Sequence, residues 1–359
     1  MIQAAGYAAE THEVRTADGY LLTMHRLPNP GRPAVYVQHG LLASSAVWVV
    51  LGRAKALAFL LHEAGFDVWL GNFRGNTYSR GHIKYSVRDK EFWSFTWHES
   101  GVEDVPAMID YVLKASGQAK LVYVGHSMGT TAFFVAASTK PEYNDKVLTG
   151  SRAAPRAAPA RWGPAPARAL TASRFVSQFV SSALGIHEFN PSPNLIHYAV
   201  TKLCPNISIV QSLCTNPLYL FAGFNEDQVD EEAMDDITKV VPAGTSRQTL
   251  HHFAQLYTSG KFRQLDYGFL RNLLFYRRFS PPEYPVFRVT ARTHIYWAES
   301  DILAAPKDVE RTRDALPNVV SFTRVRHDSF NHLDFMFAKD VVDLLYAELV
   351  DSIVVSSGT

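Results

Sequence analysis

The sequence lacks most of the features that would assign it quickly. It lacks an excess of charge: 35 Lys and Arg against 34 Asp and Glu leave a formal net charge of +1. No basic surplus points to nucleic acid, and no acidic or basic tail stands out. Long apolar runs are missing too. Ala46–Leu61, one of the longest, is broken by Arg53 and Lys55, so no segment reads as membrane-spanning. The N-terminal Met-Ile-Gln-Ala-Ala-Gly-Tyr has neither the charged start nor the apolar run of a secretory signal. Either the product is cytosolic or this sequence begins downstream of its signal. No cluster of metal-ligand type and no phosphate-binding loop occurs, so no cofactor is implied. Cysteine is scarce. Cys204 and Cys214, with nine residues between them, fit one short disulfide or two free buried thiols.

What the chain does have is apolar material and a rhythm. Its 359 residues, 47% of them hydrophobic, suit one large domain or a core carrying an inserted subdomain. The patterning predicts strands over Tyr20–Leu27, Ala34–Gln38, Gly65–Gly71 and Lys120–Val124. Helices are predicted over Ala54–Ala64, Val105–Leu113 and Thr130–Ala137. The C-terminal third repeats the alternation: strand His294–Ala298, helix Lys307–Ala315, strand Val319–Val325, helix Val341–Val350. Such alternation implies an α/β fold with a mostly parallel central sheet and helices on both faces.

Two stretches break the rhythm. Residues 170–284, richer in Asn, Ser, Pro and aromatics, read as an insertion of the kind that covers active sites. That leaves 1–150 and 285–359 as the core. Between them, 151–169 is anomalous: Arg152–Ala169 holds eight Ala, four Pro and four Arg. A sheet strand is due at this point, but the proline spacing forbids an interior strand, so the sheet is expected to be interrupted here. The composition is also what an out-of-frame reading of GC-rich DNA would yield; the alternative is an ordinary surface loop.

Gly125-His-Ser-Met-Gly129 follows a predicted strand and precedes a predicted helix, the setting of a nucleophile elbow. Ser127 is therefore the candidate nucleophile, against the plain alternative of a glycine-rich turn. A serine needs a base oriented by an acid, and in this type of sheet the order along the chain is Ser, Asp or Glu, His. Asp301 lies just past a predicted strand, and His332 follows the next one in Asn331-His-Leu-Asp-Phe335. His327, nearer its strand, is the rival base. Oxyanion donors are expected from the N–H groups of Met128, after the nucleophile, and Leu41, in His39-Gly-Leu-Leu42.

With these residues in place, the chain resembles the acid lipase family of animal gastric, lysosomal and insect lipases. The matching stretches are Thr16-Ala-Asp-Gly-Tyr-Leu-Leu22, His39-Gly-Leu-Leu42, Ala64–Asn72, Arg74–Arg80, Gly125–Thr131, Ala243-Gly-Thr-Ser246 and His332-Leu-Asp-Phe335. They follow the family's order over nearly the whole length. The resemblance implies an α/β-hydrolase fold with an inserted cap and lid, and carries the triad onto Ser127, Asp301 and His332 rather than His327. It also implies a disulfide between Cys204 and Cys214; Asn206-Ile-Ser208, inside that loop, is itself a glycosylation sequon. Arg74–Arg80 reads as a structural loop.

Three departures stand out. Met128 occupies a position where many members have Gln, the Ala/Pro/Arg patch falls where the family has a strand, and the signal is absent. The implied activity is hydrolysis of lipid esters, triacylglycerol or cholesteryl ester, at a lipid–water interface by a secreted or lysosomal enzyme. The alternatives are a lipid-binding or yolk-type protein that keeps the fold without catalysis, and an esterase for small soluble esters. Oligomeric state is not legible.

Overall fold

Six consecutive residues, Leu121–His126, are all buried, with Leu, Val and Tyr turned to both faces. A strand of that composition is stable only with a packed layer above and below it. The computed structural model, which describes residues 1–153, 187–190 and 225–358, builds the molecule around it. The strands are β1 (Glu10–Arg15), β2 (Tyr20–Leu27), β3 (Ala34–Gln38), β4 (Asp67–Leu70), β5 (Gly81–His82), β6 (Leu121–His126), β7 (Val147–Ala153), β8 (Glu188–Phe189), β9 (Thr245–Ser246), β10 (Thr293–Trp297) and β11 (Val319–Arg324). The main sheet runs β1-β2-β4-β3-β6-β7-β10-β11, with β5 also on β2. From β4 to β11 every neighbouring pair is parallel; β1, β2 and β5 add antiparallel pairs at one end.

Parallel neighbours need crossovers, and helices supply them: Leu57–Glu63 after β3, Val105–Ser116 before β6, Met128–Thr139 after it and Pro306–Ala315 after β10. Met128–Thr139 is buried at every position but the last, so it is apolar all round and sits at the centre of the molecule. The predicted core elements all appear, with ends shifted by a few residues.

The sequence misleads at β7. The sheet is not interrupted: Tyr123 pairs with Gly150 and His126 with Ala153 on one side, and Thr293 with Gly150 on the other. The strand comes from Val147-Leu-Thr-Gly-Ser-Arg-Ala153, which ends two residues short of Pro155, the first proline of the patch. The backbone donors that proline lacks are therefore not called on within the strand. Residues 154–169 themselves lie outside the described residues. β1 was not foreseen, because Glu-Thr-His-Glu-Val-Arg buries only Val14 and reads as a polar segment, as a sheet-edge strand does.

Within the insertion, the described residues form the two-stranded ribbon β8–β9 and helices Glu231–Val240, Arg247–Ser259 and Phe269–Tyr276. Cys204, Cys214 and Asn206 lie outside the described residues.

Candidate active site

At the end of β6 the chain reverses into a helix through one residue. Ser127 takes φ 52° and ψ −114°, a conformation that costs a non-glycine residue about 1–3 kcal/mol. Two glycines make the reversal sterically possible. A Cβ on Gly129 would lie 2.6 Å from the carbonyl oxygen of Gln38, and one on Gly125 would lie 2.9 Å from the amide nitrogen of Thr130. Helix and strands thus approach to backbone contact, holding the serine at the tip of the turn.

Asp301 and His332 arrive from the loops after β10 and β11. Nδ1 of His332 lies 2.8 Å from Oδ2 of Asp301, and both side chains are buried. The other carboxylate oxygen, Oδ1, accepts the amides of Leu303 at 2.9 Å and Ala304 at 2.7 Å. Burial would raise the Asp301 pKa, but the facing imidazole and the Ala304 amide hold it below the ordinary carboxylate value. An ionised Asp301 accepts Nδ1–H, which leaves Nε2 of His332 as the free, basic nitrogen.

The elbow and the histidine loop touch through His126, the residue before the serine. Its Nε2 donates to the carbonyl oxygen of His332 at 3.1 Å, and the two rings are 4.8 Å apart. Burial, with the nearby His332, pushes the His126 pKa down to about 3, so it stays neutral. His327 has no such link to Asp301: among the described residues the carboxylate bonds only His332, Leu303 and Ala304.

The loop after β3 packs directly on the elbow. A Cβ on Gly40 would come within 3.0 Å of the Ser127 Cβ, so the backbone of this loop at Gly40, the residue before Leu41, is against the serine. Met128 opens its helix, where an N–H has no intrahelical acceptor. Two other chain segments pin this loop, Phe73–Asn76 and Ala243. His39 donates Nδ1–H to the Gly40 carbonyl at 2.8 Å and accepts at Nε2 from Phe73 N–H at 3.2 Å and Asn76 Nδ2 at 3.1 Å. Burial pushes its pKa down to about 4, keeping the acceptor nitrogen free of a proton. Leu42, held at φ 61°, accepts the Ala243 amide at 2.7 Å.

Arg74–Arg80 is clamped beneath. The buried Arg74 guanidinium lies 2.7 Å from Asp104 and 2.6 Å from Asp18. One cation between two carboxylates leaves the buried one short of compensation, and burial pushes Asp104 up to about 6.

This arrangement has relatives. Residues 1–52 match the family described as a partial alpha/beta-hydrolase lipase region, and residues 33–163 match the alpha/beta hydrolase fold. The chain is 39% identical over 350 residues to Lipase 1 of Drosophila melanogaster, spanning 98% of this chain and 78% of that protein. It is 38% identical to the gastric triacylglycerol lipase of Mus musculus, over 98% of this chain and 89% of the other. The chain belongs to the alpha/beta-hydrolase lipase family. Solved structures agree on the family's fold: a carboxylesterase of Nitrososphaera gargenis superposes with a TM-score of 0.55 at 10% identity, covering 97% and 99% of the two chains. A monoacylglycerol lipase of Paleococcus ferrophilus gives 0.50 at 17%, covering 93% and 99%.

Sequence reasoning missed His126, Asn76 and the Ala243 contact. The first sat in plain view as the variable residue before the serine. The others are polar or backbone contacts between loops, which no periodicity encodes.

Proposed function

We propose that this member of the family is a lipase that hydrolyses lipid carboxylic esters with Ser127 as nucleophile, His332 as base and Asp301 as orienting acid. The observation that carries the reading is the buried 2.8 Å contact between His332 and Asp301, tied through His126 to the strained residue Ser127. A protein that only binds lipid needs neither the strain nor the pair.

Nε2 of His332 takes the proton of Ser127 as Oγ attacks the ester carbonyl, forming the tetrahedral intermediate. The oxyanion accepts the N–H groups of Leu41 and Met128; both are backbone donors, so methionine in place of glutamine leaves them intact. His332 then protonates the departing alcohol. Water, deprotonated by the same nitrogen, cleaves the acyl-enzyme, and Asp301 stabilises the imidazolium at each stage without taking its proton. Residues 170–284 act as cap and lid, and the chain works outside the cytosol, in secretion or the lysosome. A disulfide between Cys204 and Cys214 and a glycan on Asn206 belong to the same reading.

Fluorophosphonate labelling tests it. Ser127→Ala should abolish covalent labelling while thermal unfolding stays near that of the parent, and a series of esters of rising chain length should favour long acyl groups. Labelling that persists on another serine would remove Ser127 from the mechanism; a preference for short soluble esters would make the enzyme an esterase.

A further inference from the structure

Helix Phe269–Tyr276 is built inside out. Its one buried residue is Asn272, while Phe269, Leu270, Leu273, Leu274 and Phe275 are exposed, Leu270 at 77%. The polar side chain anchors the helix. Asn272 accepts the Tyr267 amide at 3.0 Å and donates to Asp266 at 2.8 Å and to the Phe279 carbonyl at 3.0 Å. Phe279, itself exposed, stacks on Phe269 with ring centroids 4.2 Å apart and extends the apolar face. Surface helices normally turn such a face to the core, and an exposed contiguous patch of this kind marks a contact surface.

Charge identifies what it contacts. Arg271, Arg277 and Arg278 are exposed around the apolar face, and 268–282 contains no Asp or Glu. The carboxylates flanking this stretch are committed elsewhere, Asp266 to Arg263 and Asn272 and Glu283 to Lys261. An apolar face rimmed by arginines matches an acyl layer under anionic headgroups. A second copy of the chain docked face to face would bring the two sets of arginines together. We infer that Phe269–Phe279 docks the protein onto an anionic phospholipid surface, its leucines and phenylalanines entering the acyl boundary and its arginines meeting phosphates. The inference rests on the reading of the chain as a lipase, whose substrate is found at such a surface.

The test is flotation of the full chain carrying Ser127→Ala, so that turnover cannot alter the lipid. Vesicles of phosphatidylcholine alone are compared with vesicles containing phosphatidylglycerol. The parent should float with the anionic vesicles, less so as salt rises. Leu270→Asp with Leu274→Asp should abolish flotation with either vesicle. Arg271→Gln, Arg277→Gln and Arg278→Gln together should weaken binding to the anionic vesicles on the order of 100-fold and barely affect the neutral ones. Both variants alter exposed residues, and matching thermal unfolding midpoints exclude misfolding. Failure of the parent to float, or equal flotation of all three proteins, overturns the proposal. So does a result in which the variants change only sedimentation from dimer to monomer, which would make the face a self-association surface. Ester hydrolysis by the chain with Ser127 intact is scored separately, so loss of the lipase reading leaves the vesicle result legible.

Discussion

Gly129 and Ser127 set the tolerances of the site at the scale of single residues. Gly129→Ala puts a methyl group 2.6 Å from the Gln38 carbonyl oxygen, a backbone atom that cannot rotate away. Strand and helix must part to admit it. The expected cost is about 1–3 kcal/mol of stability, as for overpacking elsewhere, with a fall in kcat because the serine moves with the helix. Chemical denaturation and ester turnover measure the two; wild-type values for both would mean that the approach is looser than described. The histidines make a sharper pair. His332→Ala should lower turnover by about 10³-fold or more, the scale of triad deletions, and His327→Ala by no more than several-fold. A reversed order would make His327 the base. That Ser127 would sit on a tight strand-to-helix turn and that Asp301 would meet His332 was legible, because a nucleophile elbow constrains local sequence and chain order. His39 and His126 were not, because their roles consist of contacts to carbonyls and amides that any residue provides.

Elements divide in the same way. β6 and the helix Met128–Thr139 were legible, since burial on all sides demands unbroken apolar residues. β7 was obscured because the prolines that follow it are the stronger local signal, although Val147-Leu-Thr already offered a strand start. Helix Phe269–Tyr276 escaped notice for the opposite reason: its apolar pattern gives the period but not which side faces in. Loop Arg74–Arg80 depends on a charge that is out of water. Asp104→Ala would leave Arg74 buried with only Asp18 as acid partner, and removing one member of such a pair typically costs about 3–5 kcal/mol. Urea unfolding checks this. A loss below about 1 kcal/mol would mean the guanidinium reaches water in the variant, as exposed pairs do.

For the whole molecule, acid tolerance follows from two sets of buried groups that oppose each other. His39, His126 and His252 are pushed down to about 4, 3 and 3, chiefly by burial. With folded values below the ordinary histidine value, they stabilise the fold fully above about pH 6.5 and progressively less as pH falls, each by about 1.4 kcal/mol per unit at most. Asp104 and Asp334 are raised by burial to about 6, so their folded states take up protons first and gain stability as pH falls from about 6 towards 4. Asp334→Asn removes one opposing group. Its thermal unfolding midpoint should therefore drop faster than the parent's between pH 7 and 4. Parallel curves would show that Asp334 titrates at its ordinary value.

The pairing of Thr293 with Gly150 has a consequence for how such a protein diverges. Because β7 and β10 are neighbours in the sheet, the chain that leaves it at Ala153 returns to it at Thr293 with both ends fixed side by side. Lengthening a flexible loop is cheap: each doubling costs only about 0.6 kcal/mol in closure entropy. Within that stretch Met234, Ile237 and Leu256 are buried and Ala243 holds Leu42, but the exposed apolar side chains of Phe269–Phe279 can be rewritten with little penalty to the sheet that carries Ser127, Asp301 and His332. On the reading proposed above, preference for a surface can change at an exposed helix face while the residues that cleave the ester stay where they are.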